Sequence, residues 1–262
     1  MFRINDVQIA VERFPDGTPR LNVPFVSGDV RIEWLYEKDE EMILFFIVNH
    51  IRDRYPVNYV TLYMPYIPHA RMDRTKNEEE VFTLKYFCDL VNSMKFDKVI
   101  VRDAHSVVSL NMLDNVIQEP IDRTIKKLTE RLLDPEKDIV FYPDEGSSRR
   151  YSGMIPFTYA YGMKKRDWDT GKIIGLDVLG NIPSQPFNVL IIDDISSYGG
   201  TFLHSSKKLR EMGAEKIYLY VTHCENSVLD GEMIRSGYIE KIYTTRSIYT
   251  GNDPMIEVIG GD

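Results

Sequence analysis

Apolar positions along the chain change period several times, and each change marks an element. Residues 6–14 and 20–26 predict short strands on either side of the turn Pro15-Asp16-Gly17. Residues 38–55 predict a helix with acidic residues at its start and basic ones at its end, as the macrodipole favours; Met42, Phe45, Phe46 and Asn49 recur at helical spacing. Residues 57–67, rich in β-branched and aromatic side chains, predict a buried strand, followed by a helix over 77–94 and a strand over 97–105. The alternation then restarts, with a helix at 119–133, a turn at 133–138, strand then loop at 138–146, and a short strand at 156–161. Residues 187–224 form a complete strand–loop–helix–turn–strand unit whose helix runs from Thr201 to Met212 and stops at Gly213. A last strand is expected at 238–245. Strands alternating with helices predict an α/β protein with mostly parallel sheets flanked by helices, in two similar halves, 1–120 and 121–262.

Composition narrows the function. The chain has 262 residues, 43% apolar and 27% charged, which is ordinary for a globular protein. Its net charge of −8 disfavours general affinity for nucleic acid or an anionic membrane. Cys88 and Cys224 stand far apart and outside any Cys-x-x-Cys pair, which argues against a disulfide framework and fits a reducing cytoplasm. The N-terminus carries no apolar signal core, and no apolar run is long enough to span a bilayer.

The strongest chemical signal is Val189-Leu190-Ile191-Ile192-Asp193-Asp194-Ile195-Ser196-Ser197-Tyr198-Gly199-Gly200-Thr201. An apolar strand delivers two aspartates to its carboxyl end, where parallel sheets bind ligands. The two glycines permit a tight turn with exposed N–H groups, and Thr201 opens a helix whose positive end favours phosphate. Adjacent carboxylates suit vicinal ribose hydroxyls. The plain alternative is an Asp-rich turn before a helix.

This string resembles the signature of the type I phosphoribosyltransferase fold, which contains both phosphoribosyltransferases and ribose-phosphate pyrophosphokinases (PRPP synthetases). Five further segments resemble the pyrophosphokinases and follow their order, although each alone reads as an ordinary loop or turn. In 65–74, Arg71, Asp73 and Arg74 match the nucleotide-binding loop, where arginines would pair with ATP phosphates. In 101–106, His105 matches a histidine beside Mg²⁺–ATP. In 142–147, Asp144 matches an acidic metal ligand. In 162–167, Lys164 and Arg166 match the cations of a mobile catalytic loop. In 13–21, Phe14 and Asp16 match the loop that holds adenine, which in the family comes from a neighbouring subunit. A phosphoribosyltransferase accounts only for 189–201.

The resemblance implies two phosphoribosyltransferase-like domains, with ATP-binding loops in the first and the ribose-phosphate and catalytic loops in the second. It implies a Mg²⁺-dependent transfer of the β,γ-diphosphoryl group of ATP to the C1 hydroxyl of ribose 5-phosphate, by a dimer-based homo-oligomer. Asp193 and Asp194 would hold the sugar, and 197–201 its 5′-phosphate. The chain also departs from the pattern. A first strand and helix of the N-terminal half are not found, and the C-terminal tail is short. Thr18 stands for an acidic residue, Met72 for a glutamine and Ser147 for a glycine. Ser197 and Tyr198 stand where the family has Asp-Thr. That last change leaves a second acceptor open: a 5′-substituted ribose phosphate such as ADP-ribose, with Tyr198 beside the added group. A phosphoribosyltransferase and a non-catalytic binding subunit are the rival classes.

Overall fold

The computed structural model describes residues 1–166, 173–184 and 186–260, with 164–166, 173 and 174 described as backbone only. The chain forms two compact units, Met1–Pro120 and Ile121–Asp262.

The first unit contains β1 (Phe2–Ile4), β2 (Val7–Ile9), β3 (Val11–Arg13), β4 (Pro19–Leu21), β5 (Gly28–Trp34), α1 (Glu41–Arg54), β6 (Val57–Tyr63), α2 (Thr83–Ser93), β7 (Lys98–Arg102), α3 (Val107–Met112) and β8 (Val116–Glu119). Its main sheet has the order β2-β1-β5-β6-β7-β8. Strands β5 to β8 are parallel, and β1 and β2 are added antiparallel at one edge. A separate ribbon, β3–β4, closes through Asp16 and Gly17, the latter at φ 86°. In α1 the buried residues Leu44, Ile47, Val48 and Ile51 lie at spacings of three and four and join Val60, Leu62 and Val99 in one core.

The second unit contains α4 (Asp122–Leu132), β9 (Ile139–Tyr142), α5 (Glu145–Tyr151), β10 (Tyr159–Arg166), β11 (Ile173–Gly180), β12 (Phe187–Ser196), α6 (Gly200–Glu211), β13 (Ala214–Cys224), α7 (Glu232–Arg235), β14 (Lys241–Thr244) and β15 (Ile256–Val258). Its sheet has the order β11-β10-β9-β12-β13-β14-β15 and is parallel except for β11. The period of two along each strand serves two cores. Val189, Ile191, Leu219 and Val221 pack with Phe202 and Leu209 of α6. Leu190, Ile192 and Tyr220 pack on the other face with Ile125 and Leu128 of α4 and Tyr151 of α5. Cover on both faces is why 189–192 reads as an unbroken apolar run.

Several boundaries differ from the sequence expectation. The helix expected from 77 starts at Thr83, because the Asn77 side chain accepts from the N–H groups of Glu79 and Glu80 and holds a local turn instead. The single strand expected over 6–14 is two strands belonging to different sheets. Residues 145–151 form a helix, whose first two positions fall in the loop expected at the end of 138–146. Residues 162–166 continue strand β10, pairing with β11 from Gly162↔Val178 to Arg166↔Ile173, where a loop is expected. Among the described residues no helix is long and apolar enough to cross a membrane.

Candidate functional site

The central strand β12 lies between β9 and β13 and carries its ladder past the aspartates to Ser196. Asp193 and Asp194 therefore stand at the carboxyl end of the sheet on a rigid strand. Asp194 is nearly fully buried, and its Oδ2 lies 3.4 Å from the Arg150 guanidinium of α5. Asp193 Oδ1 accepts from the Asp194 N–H at 3.0 Å. Burial, and then the charges of Asp194 and Asp144, push the Asp193 carboxyl well above the usual range. Two further carboxylates thus share the space around Asp193. Such a space favours hydroxyl donors and added positive charge.

Beyond Ser196 the chain turns tightly into α6. Gly199 has φ 79°, and a Cβ there would lie 2.6 Å from the Met233 side chain. Gly231 lies beneath, where a Cβ would come within 2.0 Å of the Tyr198 carbonyl oxygen. The Ser197 hydroxyl is 3.1 Å from that of Ser227, which donates to Glu225. The Glu225 N–H in turn donates to the Ser196 carbonyl. The loop is therefore braced from below while its upper side stays open: Gly200 has no atom near its Cβ position, and the Tyr198 side is 61% exposed. No side chain caps α6, and its first turn carries no acid. The N–H groups of Gly200, Thr201 and Phe202 have no intrahelical acceptor, as at any helix start. An uncapped helix end beside a pair of carboxylates suits a molecule bearing hydroxyls at one end and phosphate at the other.

Asp144 N-caps α5. Its Oδ1 accepts from the Ser147 N–H at 3.1 Å, and Ser147 Oγ returns to the Asp144 backbone, completing a capping box. This gives Ser147, which replaces a glycine of the family pattern, a structural role. Gly162 of β10 lies against the same turn, where a Cβ would be 2.7 Å from the Pro143 carbonyl oxygen. The backbones of Lys164 and Arg166 pair with Leu176 and Ile173, and their side chains lie outside the described residues.

In the first unit the loop after β6 is fixed at its base. The Met64 N–H donates to Ile100, and the Arg102 N–H donates to Pro65. Arg71 and Arg74 project from it exposed, with Asp73 ion-paired to Arg74 at 3.8 Å. Half-buried His105 follows β7, between Ala104, whose N–H donates to Gln118, and Ser106, which caps α3. On the β3–β4 ribbon Phe14 is half exposed. The Asp16 carboxylate accepts from both the N–H and the hydroxyl of Thr18, which hold its pKa below the ordinary value. Thr18, a departure from the family pattern, thus rigidifies the turn.

Among the described residues no group of three or more His, Cys, Asp or Glu is placed to enclose a metal ion. The donor chemistry at Asp144 still fits Mg²⁺, which binds through one or two carboxylates and otherwise keeps water or substrate phosphates. The clustered charge of Asp144, Asp193 and Asp194 favours a cation at this place.

Arg150 is a site residue that sequence reading did not single out. Helix α5 brings it over Asp194; the available sign was Arg149-Arg150, five and six residues after Asp144. Ser227, Gly231 and Met233, which brace the loop, carry no local motif.

No family model matches the chain. It is 28% identical over 258 residues to a ribose-phosphate pyrophosphokinase of Sulfolobus acidocaldarius, covering 92% of this chain and 85% of the relative. A protein of the same name from Staphylococcus saprophyticus is 26% identical over 251 residues, covering 91% and 77%. The crystal structure of phosphoribosylpyrophosphate synthetase from Mycobacterium smegmatis matches with a TM-score of 0.77 at 17% identity, covering 96% of this chain and 85% of that one.

Proposed function

Because the chain is a homologue of the ribose-phosphate pyrophosphokinases over most of its length and has the fold of a PRPP synthetase, we propose that it moves the β,γ-diphosphoryl group of ATP to the C1 hydroxyl of a ribose 5-phosphate, releasing AMP. The observation that carries this reading is the uncapped start of α6 directly after Asp193 and Asp194.

In this reading Asp193 and Asp194 accept hydrogen bonds from the ribose hydroxyls, and Arg150 fixes Asp194 in place. The N–H groups of Gly200 and Thr201 hold the 5′-phosphate, with Ser197, Tyr198 and Gly199 shaping the loop. Arg71 and Arg74 bind ATP phosphates, and Asp73 orients Arg74. Phe14 and Asp16, on an exposed ribbon, serve adenine in a second copy of the chain, which makes the working form a homo-oligomer. Asp144 and His105 are the residues that would hold Mg²⁺, whose role when bound is to neutralise charge on the polyphosphate. Transfer of this kind depends on alignment and charge compensation rather than covalent help. Lys164 and Arg166 supply cations to the developing charge. Lys164→Ala should lower kcat about 10²- to 10³-fold with a smaller change in KM, by analogy with other lost electrostatic donors. An unchanged kcat would remove Lys164 from the mechanism.

The exposed Tyr198 ring and the open face at Gly200 leave room for a second acceptor, a ribose phosphate carrying a further group such as ADP-ribose. The test is to incubate the protein with Mg²⁺–ATP and either ribose 5-phosphate or ADP-ribose, following AMP and the sugar product by mass spectrometry. AMP with ribose 5-phosphate supports the main reading. AMP with ADP-ribose alone moves the acceptor. No sugar-dependent AMP contradicts both and returns the chain to the phosphoribosyltransferase or non-catalytic class.

A further inference from the structure

A second concentration of positive charge lies in the second unit, away from the residues named above. Helix α4 presents Arg123, Lys127 and Arg131 four residues apart, so the three share one stripe. They line a cavity of about 430 Å³, with Leu128 and Ile259 as its apolar lining. That volume lies within the range typical of small-molecule sites.

The charges in this cavity are unevenly paired. Arg131 is held by Glu257 at 3.0 Å and lies over the Tyr243 ring, 4.8 Å from its centroid. Arg123 and Lys127 have no ion-pair partner among the described residues, whereas Glu257 pairs with Arg131. Like charges four apart on a helix repel. A cation in the first turn, as Arg123 is, also faces the positive end of the helix dipole. Asp122 in the first turn and Arg131 in the last offset part of this, while Arg123 and Lys127 still repel one another in a chain whose net charge is −8. A bound anion would reverse both penalties.

Arg123 and Lys127 stand four residues apart, roughly 6 Å along the helix axis, and Arg131, shared with Glu257, stands roughly 6 Å further on. Three cations in a row suit a chain of phosphates. The guanidinium of Arg123 offers planar, paired donors, and Lys127 a point charge, both common at phosphate sites. The apolar lining beside them suits the non-phosphate part of an organic polyphosphate. We propose that this groove between α4 and residues 257–260 binds a small polyphosphate, a site distinct from the ribose-phosphate loop and independent of the activity proposed for it.

The probe is inorganic triphosphate, added without Mg²⁺ to the full chain labelled at isoleucine and leucine methyl groups. Ile259 and Leu128 resonances, assigned through Ile259→Val and Leu128→Met, should shift saturably. In the Arg123→Ala/Lys127→Ala variant, both positions being exposed, the same resonances should need about tenfold more triphosphate or greater. Arg123→Lys/Lys127→Arg should restore most of the response. Shifts confined to Ile192 and Ile195, or an unchanged titration in the alanine variant, would overturn the proposal. Methyl shifts at Ile259 in a chain that releases no AMP would leave this site standing while the pyrophosphokinase reading fell. Sugar-dependent AMP release without those shifts would do the reverse.

Discussion

Two helices of the second unit start in the same way and end up with opposite chemistry. Each follows a buried parallel strand, and each is preceded by an aspartate at the strand's carboxyl end. Helix α5 is closed by its own side chain: Asp144 caps it, with Ser147 completing the box. Helix α6 begins at Gly199 and Gly200, with no cap and no acid in its first turn. One helix end is satisfied by the protein itself, and the other is left for a ligand. The difference lies in the position of the acids. In α5 the aspartate sits at the cap; in α6 the pair sits upstream on the strand, and glycines occupy the turn.

Perturbing the open end should have the largest effect. Gly199→Val forces a β-branched residue into a left-handed conformation and against Met233, and should destabilise the fold by about 3 kcal/mol as well as remove ribose-phosphate binding. Urea unfolding and a binding titration read the two parts separately. Arg150→Met should come next. It leaves the buried Asp194 without this guanidinium, for a loss of about 2 kcal/mol and a raised KM for the sugar, whereas Arg150→Lys should recover part of both. At the closed end, Asp144→Ala should cost about 1 kcal/mol through the lost cap. Stability and Mg²⁺ dependence measured on the same variant separate its capping role from its proposed metal role.

Asp193 gives a pH test with a definite sign. Its folded-state pKa is raised by burial and by the charges of Asp194 and Asp144, so the folded chain holds this proton more tightly than the unfolded one. The associated stability is complete below the ordinary carboxylate value and is lost as pH rises through the raised value. Asp193→Asn should therefore be more stable than the parent at neutral pH, with the gap closing as pH falls toward 4, while sugar binding is lost. Equal thermal unfolding of the two at pH 7 would contradict the reading. The smallest effect is expected at Tyr198. Its exposed ring makes Tyr198→Ala nearly neutral for stability, within about 0.5 kcal/mol, so any change in the preference between ribose 5-phosphate and ADP-ribose can be attributed to the site.

The open end was legible in the sequence because three signals coincide there: an apolar run, an acid pair and a glycine pair before a helix. Strand β5 was passed over although its buried Val30, Ile32 and Trp34 alternate with Asp29, Arg31 and Glu33, the period of two expected of a half-buried strand. Helix α5 was missed because Pro143-Asp144-Glu145-Gly146 reads as a turn, and its capping box uses serine where Glu or Gln is the familiar partner. The brace under the loop, from Gly231 and Met233, and the Arg150–Asp194 pair are long-range contacts that no local pattern encodes.

The most direct test uses glycine amides, since one spectrum of ¹⁵N-glycine-labelled protein reports both helix ends. The account predicts that ribose 5-phosphate shifts the N–H signals of Gly199 and Gly200 strongly and saturably, while Gly146 in the first turn of α5 changes little. A response centred on Gly146, or no response at Gly199 and Gly200 at saturating sugar phosphate, would contradict it.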